Sequence, residues 1–226
     1  MEVRGRRHAG AAAAVAAGVV ALALAGGGCT VTNFSGTIGE GPLVSEQRTV
    51  GAFSGVESGG GVHVTVQVGS PQLVTVRAQE NILPIIETRV SGGTLHIGGR
   101  SSYSTSRGVE VNIVTPSLET IELSGGAVGT VTAVATERFT ATVSGGAELR
   151  ATGTVTSVSL EASGGGRAYL GGLTATSADV DVSGGAHGEV LASDHVSGSA
   201  SGGASLTVRG GARVDVDVSG GASISS

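Results

Sequence analysis

Aromatic side chains are almost missing from this chain. Phe, Tyr and Trp make up 2% of its 226 residues, and there is no tryptophan. An interior built on large rings is excluded, so the core must be thin and filled by small branched side chains. Cysteine occurs once, at Cys29. No internal disulfide can form, and stability must come from backbone pairing and packing. Proline is scarce, with 4 residues against 41 glycines. That ratio, with Val, Ile, Leu and Thr in alternating runs, argues against a disordered low-complexity chain. Collagen is excluded because glycine does not fall at every third position. Charge is sparse too: 14% of residues are charged and the net charge is −5. No basic patch with interleaved aromatics occurs, which excludes the usual nucleic-acid interface.

The first residues read as an address. Arg4, Arg6 and Arg7 form a positive segment, and Ala11–Ala25 is an apolar run of 15 residues. A spanning helix needs about 20, so a secretory signal covering 1–28 is the expectation. Two processing routes fit. "GGGC" at Gly26–Cys29 resembles a lipoprotein box, with Cys29 as the lipidated residue, although Gly26 stands where such boxes prefer Leu. Ala23-Leu24-Ala25 is a small-x-small site for ordinary cleavage, which would leave a periplasmic or secreted chain. Either route exports the protein. Residues 29–47 carry no steady period and read as a flexible tether.

What is abundant is a repeat. Ser-Gly-Gly begins at Ser124, Ser144, Ser163, Ser183, Ser201 and Ser219, at spacings of 20, 19, 20, 18 and 18 residues. Near-constant spacing of this length marks a solenoid. One and three positions before each serine the residues are apolar or small: Leu123 and Ile121, Val143 and Ala141, and onward to Val218 and Val216. The positions between them are polar. A period of two marks a half-buried strand. A second apolar register follows each corner, at Leu149, Leu206 and Ile224 and, two residues on, at Val131, Leu170, Val190 and Val208. The expected fold is all-β: a single-stranded parallel β-helix over 121–226 with 18–20 residues per coil. The paired glycines are its corners, because glycine reaches positive φ without a Cβ clash. They are Gly125 and Gly126, Gly145 and Gly146, Gly164 and Gly165, Gly184 and Gly185, Gly202 and Gly203, and Gly220 and Gly221. Stacked corner serines are expected to hydrogen-bond to neighbouring backbone.

Residues 48–120 read as an antiparallel, hairpin-rich part capping the first coil. Ser58-Gly59-Gly60 and Ser91-Gly92-Gly93 precede Ser124 at a spacing of 33. "VHVTVQV" (Val62–Val68) and "LVTVRA" (Leu73–Ala78) are expected to form a hairpin. One helical turn is expected near Pro84. The C-terminal coil shows no cap of its own, so pairing with another protomer through that edge is an expectation.

"FSGVESGGGVHVTV", "ENILPIIETRVSGGTLHI" and "PSLETIELSGGA", followed by the later repeats, resemble the bacterial family called putative auto-transporter adhesin, head GIN domain, over residues 48–226. Here Ser-Gly-Gly-Ala replaces the Ser-Gly-Ser-Gly common in that family. The resemblance implies a β-helix on an exported, often lipid-anchored protein, with no catalytic residues.

Other chemistries find little support in the residues. β-Helix enzymes that process polysaccharides gather carboxylates on one face, and Asp179, Asp181, Asp215 and Asp217 are the candidates. Equivalent members lie two strand spacings apart, about 9–10 Å. That is near the upper separation for inverting glycosidases. They stand on an open strand face, where solvated charge is the simpler reading. Calcium nonapeptides need an aspartate that Ser-Gly-Gly-Ala lacks. His63, His96, His187 and His195 show no zinc spacing. The loop with Arg100, Tyr103 and Arg107 is the one polar segment carrying an aromatic, suited to a glycan or a lipid headgroup or simply to solvent. The expected function is therefore a non-enzymatic envelope protein: an adhesin or surface interaction module on a lipid anchor, without cofactor or metal. Its partners would be the membrane and a glycan or surface protein. The alternatives are a β-helix polysaccharide-processing enzyme and a structural scaffold.

Overall fold

A computed structural model describes residues 35–226, which form one compact unit. The signal segment and Cys29 lie outside the described residues.

The chain winds as a parallel β-solenoid. Between successive corners runs one long bent strand: Val128–Val143, Glu148–Ala162, Arg167–Val182 and His187–Ala200. Each pairs in parallel with the next. In the last coil the strand divides into Ser205–Arg209 and Arg213–Val218, followed by Ser223–Ser225. Glycine, Ser and Thr are poor helix formers, and β-branched side chains suit a pleated surface, so these segments have no competing local structure.

The register explains how coils of unequal length stack. On both sides of each Ser-Gly-Gly the ladder is continuous. It slips elsewhere, between Val131 and Val134, between Arg150 and Thr152, and between Leu170 and Thr174. Extra residues are thus absorbed as bulges at the bend far from the glycines.

At each corner the two glycines do different things. The N–H of Ala127 donates to the Ser124 carbonyl at 3.2 Å, closing a four-residue turn, and the later corners repeat this bond. The first glycine has φ between +65° and +72° from Gly125 through Gly220. The second has an ordinary φ, so the turn has the type II′ pattern, which demands glycine only at its first central position. The second glycine's N–H instead donates up the stack. Gly146 bonds the Gly125 carbonyl at 2.6 Å, and Gly185 bonds that of Gly164 at 2.7 Å. Corner serines contribute main-chain groups to this ladder. Among the described residues no corner serine hydroxyl makes the expected bond to backbone. The two glycines should therefore respond unequally to substitution. Gly184→Ala forces a left-handed alanine, and its Cβ would lie 3.1 Å from the Gly164 carbonyl oxygen. A loss of about 1–2 kcal/mol is expected. Gly185→Ala keeps its φ and places a Cβ 3.4 Å from the same oxygen. It should cost well under half as much in a urea titration, and equal losses would contradict the turn assignment.

The interior is one apolar column per inward position. Ala127, Ala147, Ala186 and Ala204 fill the corner and are fully buried. Beyond it, large side chains lie over a glycine at two corners: Leu123 over Gly129, and Leu160 and Val182 over Gly188. Such small-against-large matching is how a core this thin reaches close packing.

Below the repeats the arrangement departs from the expectation. Val62–Val68 and Leu73–Gln79 do not pair as a hairpin. Val109–Thr115 lies between them, parallel to the first and antiparallel to the second. Alternation set which face each strand buries but not which neighbour it takes. Likewise Gly55–Ser58 lies between Thr94–Gly99 and Thr120–Leu123, parallel to both. This part therefore contributes parallel rungs as well as antiparallel strands. The antiparallel cover is Leu43–Arg48 on Leu73–Gln79, and Ile86–Ser91 on Thr94–Gly99. Residues 43–47, expected in the tether, are thus a paired edge strand, since "LVSEQR" finds a ladder to join. Gly92 and Gly93, with φ of +60° and +80°, form a two-residue hairpin turn rather than a corner. The helical turn is a 3-10 turn at Leu83–Ile85. Ser58 does not stack under Ser124 but pairs with Leu123. Its side chain points inward, and its hydroxyl is buried without a partner.

Candidate functional site

Because strand residues alternate, every outward position becomes a row running along the solenoid axis, one side chain per coil about 4.8 Å apart. The rows preceding the corners are acidic. One holds Glu57, Glu122, Thr142, Glu161, Asp181, Ser199 and Asp217 in direct register. Beside it stand Thr120, Thr140, Ser159, Asp179, Ser197 and Asp215. The four aspartates are exposed. Ser197 Oγ donates to Asp179 Oδ2 at 3.2 Å, and Ser199 Oγ to Asp181 Oδ1 at 3.0 Å. A serine therefore separates each pair of equivalent aspartates and bonds one of them. At the lower end His96 Nδ1 lies 2.7 Å from Glu57 Oε2.

The rows following the corners differ in chemistry. One runs Glu148, Arg167, His187, Ser205; the next runs Arg150, Tyr169, Glu189, Thr207. Neighbours hold one another in place. Arg150 pairs with Glu148 at 2.8 Å, and its guanidinium lies over the Tyr169 ring, 4.2 Å from the centroid. The His187 ring is 5.4 Å from that of Tyr169, tilted by 49°. His187 Nδ1 is 2.8 Å from Ser205 Oγ, and Arg209 meets Glu189 at 2.8 Å. Individually such partly exposed pairs add little stability. Together they set the side-chain orientations of a flat array. The sequence reading missed this array, because Arg150, Tyr169 and His187 are 18–19 residues apart and only the coil register brings them together.

The other candidates separate. His187 and His195 belong to different rows: His187 pairs with Arg167 and Ser205, His195 with Ser177 and Arg213. Among the described residues no three His, Cys, Asp or Glu side chains are placed to share a metal. Tyr103 is not a free loop residue. Tyr103–Ser104 pairs with Thr37–Ile38, the ring packs against the core, and burial raises its phenol pKa. Arg100 lies 3.7 Å from Glu87. A surface depression of about 440 Å³ is lined by Glu119, Thr120, Thr136, Glu137, Arg138 and Thr140. Among the described residues no helix is long and apolar enough to cross a membrane.

Comparison with known proteins agrees with this architecture. Among solved structures the chain is similar to a putative adhesin from Bacteroides fragilis, with 16% identity and a TM-score of 0.65 over 84% of this chain and 99% of that one. It is also similar to a putative lipid binding protein from Parabacteroides distasonis, with 16% identity and a TM-score of 0.52 over 83% and 97%. A putative adhesin from Parabacteroides merdae matches with 13% identity and a TM-score of 0.52 over 83% and 97%. At these identities the likeness is one of fold. No protein of curated function matches the chain. The family model described as "Putative auto-transporter adhesin, head GIN domain" matches residues 52–226, the whole solenoid with its lower rungs, and the chain belongs to that family.

Proposed function

We propose that this protein is exported and held to the membrane by a lipid on Cys29, and that it displays its solenoid as a non-enzymatic adhesive module. The observation that carries the reading is the form of the outward rows. They are flat, open and repeated at coil spacing, on a scaffold whose backbone ladder leaves little freedom. Such a surface suits many small contacts with an extended partner better than the enclosure of a small substrate. The exposed aspartates, separated by serines, match a solvated face. The basic start, the apolar run and the single cysteine support the anchor, since acyl chains contribute about 0.8 kcal/mol per buried methylene and two hold a protein firmly.

Three measurements test this reading. Cells grown with a labelled fatty acid should label the wild type, and Cys29→Ser should lose the label and leave the membrane fraction. An unlabelled wild type would remove the anchor. Beads carrying the full chain should adhere to members of a glycan and matrix-protein panel. Polysaccharide cleavage by the wild type that disappears in Asp181→Ala or Asp217→Ala would instead make it an enzyme.

A further inference from the structure

We infer that the array around Tyr169 is a binding subsite for a linear, carboxylate-bearing glycan lying along the solenoid axis. The inference rests on the display reading above and adds the ligand class and the place.

Three observations converge there. The first is composition. Tyr169 is the one tyrosine on the solenoid's outward rows, and beside it stand planar groups with unused hydrogen-bonding capacity. Arg150 keeps donors free after its contact with Glu148, and the Nε2 side of His187 is uncommitted once Nδ1 meets Ser205. Forked donors match vicinal hydroxyls, while the Tyr169 ring, held by the Arg150 guanidinium over it, offers apolar contact to the C–H groups of a sugar ring. A protein partner would need a larger apolar centre than one tyrosine supplies.

The second is charge. Arg150 and Arg209 are neutralised by Glu148 and Glu189, whereas Arg167, exposed between Glu148 and His187, has no ion pair among the described residues. An anionic group can dock there bidentately. The rows preceding the corners, with seven carboxylates in two columns, would repel the same ligand. Charge complementarity therefore selects one face of the two.

The third is pitch. Successive coils lie about 4.8 Å apart. A sugar residue in an extended chain advances by close to the same distance, so consecutive residues would meet consecutive coils. A ligand placed across the strands would lose this match.

The test is titration of the full chain with a galacturonate oligomer, its methyl ester, a neutral gluco-oligomer and polyglutamate. The wild type should bind the galacturonate oligomer best. Tyr169→Ala should weaken it tenfold or more. Arg167→Ala should leave binding of the methyl ester nearly unchanged while removing the preference for the free acid. Asp181→Ala should have no effect, and circular dichroism on each variant should match the wild type. Equal binding of polyglutamate would reduce the effect to bare charge and overturn the inference. So would a wild type that binds none of the oligomers, or binding that survives both Tyr169→Ala and Arg167→Ala. If beads of the wild type still adhere to the broader panel in that case, the display reading stands and only the subsite falls.

Discussion

Gly198→Val should lower the midpoint of thermal unfolding by about 10 °C, a loss of roughly 4 kcal/mol in a chain of this length. By pattern alone the change is harmless. Gly198 occupies the inward column of Ile121, Ala141, Leu160, Val180 and Val216, where both neighbouring coils carry valine. The backbone forbids it. Gly198 has φ of +128°, outside the range of L side chains, and a Cβ there would overlap the carbonyl oxygen of Val180 in the coil beneath. Strain of about 1–3 kcal/mol adds to a clash with backbone that no rotamer can relieve. A Gly198→Val chain melting within about 3 °C of the wild type would show that the coil can rearrange there.

Gly129→Leu should cost about 3 kcal/mol, through overpacking rather than backbone strain. A Cβ at Gly129 would meet Leu123 Cδ1 at 2.5 Å and Leu149 Cδ1 at 3.2 Å. Leu123→Ala alone should cost about 2–5 kcal/mol by leaving a cavity. The double variant exchanges large for small across the corner, and it should be more stable than the sum of the single changes predicts by at least about 1 kcal/mol. Strict additivity in urea titrations would refute the exchange of bulk between Leu123 and Gly129 as what packs this corner.

Both substitutions show where reading the chain stops. Alternation around each Ser-Gly-Gly exposes strands, corners and inward faces because a strand's period of two and a turn's demand for positive φ are local requirements. They act within about six residues, so they are written locally. The solenoid follows, since the repeat length leaves few other ways to bury one face of every strand. Strand neighbours are a different matter. Val62–Val68, Leu73–Gln79 and Val109–Thr115 all alternate, and each could pair with any other. Their order depends on which edges remain free after the rest has packed. Leu43–Arg48 follows the same logic: it is a strand because an edge at Leu73–Gln79 awaits it.

The candidate site divides similarly. The acidic rows were legible, because Asp179 with Asp181 and Asp215 with Asp217 advertise themselves within a few residues. The Arg150, Tyr169 and His187 array was not, because its members come from three coils and two rows. The amino-acid order alone determined the coil length, the corners, the buried face and the poverty of large side chains, all consequences of short-range sterics and period. Only the tertiary structure decided which strands are neighbours before Ser124, where bulges absorb unequal lengths, and why Gly198 cannot be valine. Those depend on distances between backbones far apart along the chain, which no local pattern encodes.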